Sequence, residues 1–480
     1  MRGTRVHPGL LVAVAVLVAL WTAPLLAVRA TYGAQTTADE PQYLMTAISL
    51  GEDGDLDVLD ERTEGRFLDF HEVDLPVQEA AREDGKRISP HDPLLPALLA
   101  VPVLIGGWVG AKVFLAVLAG VLAALMLWVA VARFAVPPTV AVLAVLTFSL
   151  AAPFAVYGTQ VYPELPAALA VTVAVAALTG PLRRAGLVVL ALALVALPWL
   201  ATKYAPVVAV LAVLALVRLV RAGRGRTALA LGGGLAVAGV VYLLAHQVWY
   251  GGWTVYASGA HFTGGEATVM GTSPDYLGRS VRLAGLLVDR GFGLVVWQPA
   301  YLLLIPAFAA LVRLRPAGWD VLALPFAAGW LNATFVALTM QGWWWPGRQV
   351  VVVLPLAVLA VAVWAARVTA ARAALVAGLA LGALTYVWLL VEGLQERLTL
   401  VVDFERTTAP VVRALRPILP DLRLQPAGTG WLLAAWIVVL AAAALLGWRS
   451  VAPDRAVARP ARPVVLGPTE RGTTWARPSV

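Results

Sequence analysis

Two adjacent carboxylates, Asp39 and Glu40, stand just after the first apolar stretch of the chain, which covers roughly residues 10–28. Pro41 follows them at the start of a long acidic, hydrophilic segment. A carboxylate held at a membrane surface can take the proton of a hydroxyl group and act as a general base on a substrate at that surface. The same acids could instead stabilise a helix that begins at Pro41, because negative charge at a helix N-terminus interacts favourably with the helix dipole.

The composition of the chain identifies the class of protein. Hydrophobic residues make up 60% of the 480 residues and the mean hydropathy is +0.81. Charged residues make up 13%, against about 25% in ordinary globular domains. Lipid covers the apolar faces of a membrane protein, so the sequence predicts an all-α, polytopic integral membrane protein whose surroundings are the lipid bilayer. No cysteine is present, which excludes disulfides and thiolate metal sites.

Twelve stretches are apolar and long enough to cross a bilayer, which takes about 20 residues each. Their centres lie near residues 19, 120, 148, 170, 192, 212, 238, 303, 330, 358, 382 and 439. The stretches near 148 and 170, and those near 192 and 212, are separated by short segments, so either pair could be miscounted. Twelve spans place both termini on the same side of the membrane.

The basic residues give the orientation. With the N-terminus inside, the inner segments hold 19 of the 36 Lys and Arg residues and three of the 28 acids. Short cytoplasmic loops are enriched in Lys and Arg, so we expect both termini to be cytoplasmic, in a bacterial plasma membrane. The net charge of +8 follows from these loops and does not indicate a nucleic-acid partner. The tail at 449–480 is rich in Pro, Arg and Thr and is expected to be cytoplasmic and disordered.

Within the transmembrane domain, residues 1–448, three outer segments are long enough to build a site: 30–107, 250–292 and 391–430. In the first, apolar residues recur on one face after Pro41, which predicts a short amphipathic helix along the membrane surface. The apolar stretch 93–105 predicts a second surface helix, ahead of the span that begins near Trp108.

This layout resembles that of the GT-C glycosyltransferases, and most closely the branch that contains protein O-mannosyltransferases and lipid A aminoarabinose transferases. In that branch the first outer loop carries an Asp-Glu pair followed shortly by a tyrosine, matched here by Asp39, Glu40 and Tyr43. A later patch of the family contains a lysine, and His91 stands near its place.

Three further segments carry the same resemblance. The family's second acidic position, after the third span, is matched by Glu164 in Tyr162–Pro166. A late turn rich in Gly and Trp, with a basic residue, is matched by Gly342–Arg348. A segment at Asp289–Leu294 is similar to one found in some bacterial members.

The resemblance implies both a fold and a reaction. The fold is a GT-C-like bundle of about twelve transmembrane helices, and the reaction transfers a sugar from a polyprenyl-phosphate donor to an acceptor on the outer face. The acceptor would be a glycan, lipid or protein of the cell envelope, and no cofactor is expected. In this interpretation Asp39 is the general base, Glu40 is its catalytic neighbour, and attack of the acceptor hydroxyl inverts the anomeric configuration.

The leaving phosphate needs cations, and arginine suits this role because its planar guanidinium can donate two parallel hydrogen bonds to phosphate oxygens. Glu164 could equally stabilise the start of a helix, and Arg348 could lie at the membrane interface beside a tryptophan belt. The predicted substrate-binding residues are Tyr43, His91, Glu164, Lys203, Arg279, Arg282, Arg290 and Arg348.

Metal signals are weak, and no metal site is expected. The histidines lack metal-binding spacing. Asp53, Asp55 and Asp57 alternate as in a calcium loop and Glu64 falls at the closing position. Val58, however, stands where such a loop needs its glycine. A solvated acidic turn is therefore the favoured interpretation.

A polytopic transporter or lipid flippase is the alternative function. Transporters place their binding sites near the bilayer midplane and often contain inverted repeats. Here the charges gather at the outer boundary of the spans and the first outer loop is long. These features favour a membrane glycosyltransferase over the alternative.

Overall fold

The computed structural model describes residues 6–262 and 264–452, and this part of the chain is predominantly helical. Its extended segments meet only in isolated bridges, which confirms the all-α prediction. The predicted tail lies outside the described residues from residue 453 onward. In chain order the helices are α1 (Pro8–Thr22), α2 (Glu40–Glu52), α3 (Leu59–Thr63), α4 (Leu94–Phe134), α5 (Pro138–Ser149), α6 (Phe154–Tyr157), α7 (Glu164–Leu178), α8 (Arg184–Leu200), α9 (Ala205–Arg221), α10 (Gly225–Tyr250), α11 (Tyr276–Arg279), α12 (Arg282–Val288), α13 (Leu304–Leu314), α14 (Trp319–Leu331), α15 (Leu354–Ala365), α16 (Thr369–Leu394), α17 (Pro410–Leu415) and α18 (Thr429–Arg449).

Helices occupy all twelve stretches that the sequence predicts to be spans. Within the described residues, six helical segments are long and apolar enough to cross a membrane, and five further apolar helices are shorter. The polytopic prediction is therefore confirmed, while the count of twelve spans stays a prediction. Several short helices continue into turns of 3₁₀ or π helix, such as Pro299–Leu303 before α13 and Asn332–Val336 after α14.

Glycines let some of these helices touch through their backbones. A Cβ atom on Gly120 of α4 would come within 2.2 Å of the backbone oxygen of Ala15 on α1. A Cβ atom on Gly447 of α18 would meet the backbone oxygen of Pro306 on α13 at the same distance. Lipid supplies little hydrophobic drive for helix association, so close packing of this kind holds membrane helices together.

The first outer loop forms its two predicted helices, but the first of them is buried. Residues 40–49 of α2 are all buried, with the helix packed against α4. This helix was predicted to lie along the membrane surface, and the structure instead buries it inside the protein. In α4 the backbone breaks at Gly106 and Gly107, with a φ of 58° at Gly107, which separates the predicted surface helix from the span that follows.

The arginines of the predicted inner loops gather at one end of the apolar helices. Arg133 Nε donates to Ala176 O over 3.2 Å, and Arg218 Nη1 donates to Leu178 O over 2.8 Å. Both carbonyls belong to the last turn of α7, where cations interact favourably with the helix dipole. Because α7 begins at Glu164, that acid lies at the opposite end of the helix from these arginines.

Candidate functional site

Asp39 stands at the N-cap position of α2, but its side chain makes no capping hydrogen bond. Its Oδ2 instead accepts a hydrogen bond from Arg348 Nη2 over 2.6 Å. The preceding residue, Ala38, has a φ of 52°, a left-handed conformation that costs a non-glycine residue roughly 1–2 kcal/mol. Gln78 Nε2 donates to Ala38 O over 3.2 Å and supports this turn. The start of α2 thus directs the Asp39 carboxylate across the molecule, toward an arginine.

Arg348 comes from the turn rich in Gly and Trp that precedes α15. Besides its bond to Asp39, its Nε donates to Glu164 Oε1 over 3.0 Å. Its guanidinium carbon lies 4.1 Å from the ring centre of Tyr162 and 4.9 Å from that of Trp344. A planar guanidinium can hydrogen-bond through its edge while its faces rest on aromatic rings. Arg348 therefore has a well-defined orientation between the two carboxylates.

Glu164, at the start of α7, connects the two cations of the site. Its Oε1 accepts from Lys203 Nζ over 2.6 Å as well as from Arg348 Nε. Its side chain is fully buried, and a carboxylate without water is tolerated only when cations compensate it. Lys203 lies in the short 3₁₀ turn Thr202–Tyr204 between α8 and α9. Glu164 thereby holds the lysine and the arginine next to each other.

The electrostatics of Asp39 favour its ionised form. Burial acts to raise the pKa of Asp39, but the positive charge of Arg348, followed by the nearby His91, outweighs burial and holds this pKa well below its usual range. His91 Nε2 lies 3.8 Å from Asp39 Oδ1. Asp39 is consequently a carboxylate at neutral pH. With Glu164, Lys203 and Arg348 it forms a group of two negative and two positive charges.

Glu40, the predicted catalytic neighbour of Asp39, has different surroundings. Its Oε2 accepts from the backbone N–H of Thr37 over 3.0 Å and its Oε1 from that of Val161 over 2.8 Å. The residue is fully buried, and burial raises the pKa of Glu40. Both oxygens are thus used to join the start of α2 to the loop before α7. Glu40 is placed to support the position of Asp39.

Two cavities meet at Asp39 and Arg348. The smaller, of about 230 Å³, is bordered by Tyr43 and His91, whose rings lie 4.5 Å apart. The larger, of about 560 Å³, has mostly apolar walls, and Lys203 borders both cavities. The Asp39 side chain is 24% exposed, so a ligand in either cavity can touch it. Residues of the larger wall that the sequence did not single out include Tyr256, Phe262, Met270, Val336 and Leu338.

Asp92 is a buried acid of the site region that sequence reasoning missed. Its Oδ2 accepts from the backbone N–H of Thr202 over 2.8 Å, and its Oδ1 accepts from Tyr242 Oη over 2.8 Å and lies 3.1 Å from His246 Nε2. Asp92 therefore connects the first outer loop to α10 and to the turn that carries Lys203. The only sequence signal was the spacing of Tyr242 and His246, which places both on one face of a helix.

Three of the predicted cations lie elsewhere. Arg279 donates to the backbone carbonyls of Phe335 and Met270, each over 2.7 Å. Arg282 donates to the backbone carbonyl of Ala337 over 2.7 Å. Arg290 Nη1 lies 3.6 Å from Asp421 Oδ2 and borders a separate cavity of about 280 Å³. None of the three borders the cavities at Asp39. The predicted residues that the fold brings together are Asp39, Tyr43, His91, Glu164, Lys203 and Arg348.

Comparison with known proteins bears on the fold. No family model matches the chain, and no curated protein matches it. Among solved structures, the crystal structure of ArnT from Cupriavidus metallidurans, bound to undecaprenyl phosphate, is similar with a TM-score of 0.51. The similarity covers 92% of this chain and 77% of that chain at 16% sequence identity. The chain therefore has the polytopic helical fold of this ArnT, as the resemblance implied, while the number of spans stays a prediction.

Proposed function

We propose that this chain is a membrane glycosyltransferase that moves a sugar from a polyprenyl-phosphate donor to a hydroxyl group of a cell-envelope acceptor. One observation carries the proposal: a carboxylate and a guanidinium, Asp39 and Arg348, lie 2.6 Å apart where two cavities meet. Such a pair combines a base for the acceptor with a cation for the phosphate. The likeness to ArnT, whose structure was solved with undecaprenyl phosphate bound, supports the donor class.

The donor is an amphiphile, and the larger cavity suits one. Arg348 and Lys203 border it with positive charge, while residues such as Met270, Val336 and Leu338 give it apolar walls. We assign the donor phosphate to the two cations and the first isoprenoid units to the apolar wall. The smaller cavity, beside Tyr43, then receives the sugar or the acceptor.

The transfer step is a single displacement. Asp39 takes the proton of the acceptor hydroxyl, and the hydroxyl oxygen forms a bond to the anomeric carbon of the sugar. The bond from that carbon to the phosphate oxygen breaks, and its electron pair leaves with the polyprenyl phosphate. The phosphate gains one negative charge, which Arg348 and Lys203 stabilise. The configuration at the anomeric carbon is inverted, and the proton on Asp39 passes to water.

Arg348 has a second role in this scheme, since it controls the basicity of Asp39. A carboxylate whose pKa is held low is a poor proton acceptor, because general-base catalysis works best with a pKa near the working pH. When the donor phosphate draws hydrogen bonds from Arg348, the carboxylate loses part of the interaction that lowers its pKa. Asp39 then becomes a stronger base only when the donor is bound.

The proposal also includes the orientation of the protein in the membrane. The arginine end of the helices would face the cytoplasm, with both termini, and the two cavities would open on the outer side of a bacterial plasma membrane. A donor and an acceptor that reside at the outer surface could then reach Asp39 without crossing the bilayer.

The decisive experiment is sugar transfer by the purified full chain. A synthetic polyprenyl-phosphate sugar of known anomeric configuration is incubated with an extract of cell-envelope acceptors, and the product is analysed by NMR. The proposal expects a glycosylated product of inverted configuration. A chain that moves the intact donor across proteoliposome membranes without forming a product would instead be the transporter or flippase.

A further inference from the structure

Three acids meet at the end of α2 that lies away from Asp39. Asp53 is the C-cap residue of α2, and Asp60 and Glu61 belong to the first turn of α3. One carboxylate oxygen from each residue lies within 4.8 Å of the others. Mutual repulsion disfavours three carboxylates at such distances unless a positive group compensates them.

Glu61 differs from ordinary surface acids because it is buried. Its exposure is 3%, and among the described residues neither of its carboxylate oxygens has a hydrogen-bond partner. The adjacent Arg62 does not compensate it, since its Nε is paired with Glu79 Oε1 over 2.7 Å. The neighbouring acids Asp53 and Asp60 add negative charge beside it and do not compensate it. A buried, unpartnered carboxylate of this kind is destabilising unless it binds a proton or a cation.

We propose that Asp53, Asp60 and Glu61 bind a calcium ion. Ca²⁺ prefers carboxylate oxygens, takes about 6–8 oxygen ligands and accepts irregular geometry, whereas Mg²⁺ requires a near-ideal octahedron. Asp53 and Asp60 are exposed, so water can complete the coordination on that side. The C-terminus of α2 also favours a cation, because the negative end of the helix dipole lies there.

This site differs from the calcium loop that the sequence suggested. Of that pattern only Asp53 takes part, and Asp55 and Asp57 instead accept hydrogen bonds from nearby groups, such as Ser49 Oγ and the backbone N–H of Leu59. The ligands come from two helices rather than from one continuous loop. A bound ion would therefore join α2 to α3 and stabilise the first outer loop. The proposal does not depend on the transfer reaction.

Calcium titration of the purified full chain tests this site. The protein is freed of metal with a chelator, and CaCl₂ is titrated in a calorimeter while the Tm is measured in parallel. We expect saturable binding of one Ca²⁺ and a Tm that rises with its concentration. MgCl₂ should compete weakly. Absence of saturable calcium binding in the wild-type chain would overturn the proposal and leave Glu61 as a protonated acid.

Matched variants locate the ion. Glu61→Gln should lower the calcium affinity at least ~10-fold, since affinity depends on the number of charged ligands. Glu64→Gln changes an exposed acid three residues further on and should leave the affinity unchanged, as should Asp39→Asn. Should Glu61→Gln fold poorly, the exposed ligands serve instead, because Asp53→Asn and Asp60→Asn must each weaken binding. Equal affinity in all ligand variants and in the Glu64→Gln control refutes the site.

Discussion

Positive side chains lie at both ends of the apolar helices, but they have different partners. At the arginine end, Arg133 and Arg313 donate to backbone carbonyls in the last turns of helices. Arg218 combines such a bond with an ion pair to Asp320 over 2.7 Å. At the other end, Arg348 and Lys203 pair with side-chain carboxylates beside a cavity.

The difference shows which cations are free to change partner. A guanidinium that donates to helix carbonyls satisfies groups that would otherwise lack a hydrogen bond, so moving it would expose them. A guanidinium paired with a carboxylate beside a cavity can exchange that anion for a phosphate. The chemistry of the partner, rather than the position in a loop, therefore distinguishes structural arginines from those placed for a ligand.

The largest expected contrast between the two ends is their accessibility from outside the cell. The chain lacks cysteine, so single cysteines can be introduced at the exposed residues Glu83 and Arg221. A membrane-impermeant thiol reagent should label Glu83→Cys in intact cells and Arg221→Cys only after lysis. The opposite pattern would reverse the proposed orientation and, with it, the side on which the donor binds.

Asp39→Asn should cause the largest loss of activity. The amide oxygen can still accept a hydrogen bond from Arg348, but it cannot take the acceptor's proton, so we expect kcat to fall by ~10²-fold or more. Glu40→Gln is the matched control, because it removes the adjacent charge outside the cavities. It should mainly lower stability, by about 1–3 kcal/mol, since one buried N–H loses its acceptor. Similar kinetics in both variants would remove the catalytic distinction between the two acids.

Arg348→Lys should cause the next largest loss. Lysine keeps the charge but cannot bond Asp39 and Glu164 through two nitrogens of one planar group. We expect kcat/KM for the donor to fall roughly 10- to 100-fold, which corresponds to about 1.4–2.8 kcal/mol. A donor KM and kcat equal to those of the wild type would mean that Arg348 serves only the fold.

The pH profile of an Arg348→Gln variant tests whether Arg348 controls the pKa of Asp39. In the wild type the pKa of Asp39 lies well below its usual range, so Asp39 stays ionised and adds no acid limb to kcat/KM between about pH 5 and 8. Without Arg348 the main lowering effect is lost while burial still acts to raise this pKa, so the pKa of Asp39 should rise. Residual kcat/KM should then fall as the pH drops through the new pKa. Identical profiles would argue against this coupling.

Arg218→Lys should have the smallest effect on activity. Its partners, Leu178 O and Asp320, lie at the arginine end, far along α7 from Glu164. We expect the transfer rate to stay within about twofold, and the free energy of unfolding to fall by on the order of 1 kcal/mol. Rate measurements and thermal unfolding in detergent check this. A large loss of transfer without unfolding would show that the two ends are coupled.

The neighbours Asp39 and Glu40 show how far sequence reasoning reached within the site. Their position after the first apolar stretch identified the acidic pair, and both residues were expected to be catalytic, with Asp39 as the general base. The structure gives them opposite surroundings, because successive residues at a helix start point in different directions. Asp39 meets Arg348, 309 positions along the chain, while Glu40 meets backbone N–H groups. No local sequence pattern encodes this difference in the surroundings of the two acids.

The five predicted cations lead to the same conclusion. Lys203, Arg279, Arg282, Arg290 and Arg348 all follow or precede apolar helices in a similar way, so charge and spacing alone could not rank them. Two of the five border the cavities at Asp39, and three are bound by other partners. Asp92 escaped notice because its partners lie 110 to 154 positions away.

What the sequence determined by itself was the class of protein, the helices and the position of the acidic pair, because these depend on apolar length and local charge. The apolar stretches are longer than any turn, and lipid requires that they be helical. Which acids face a cavity, which cations they meet and where a buried carboxylate lacks a partner were decided only by the tertiary structure. Those properties arise from contacts between residues far apart in the chain, whose geometry is set by the packing of the helices around them.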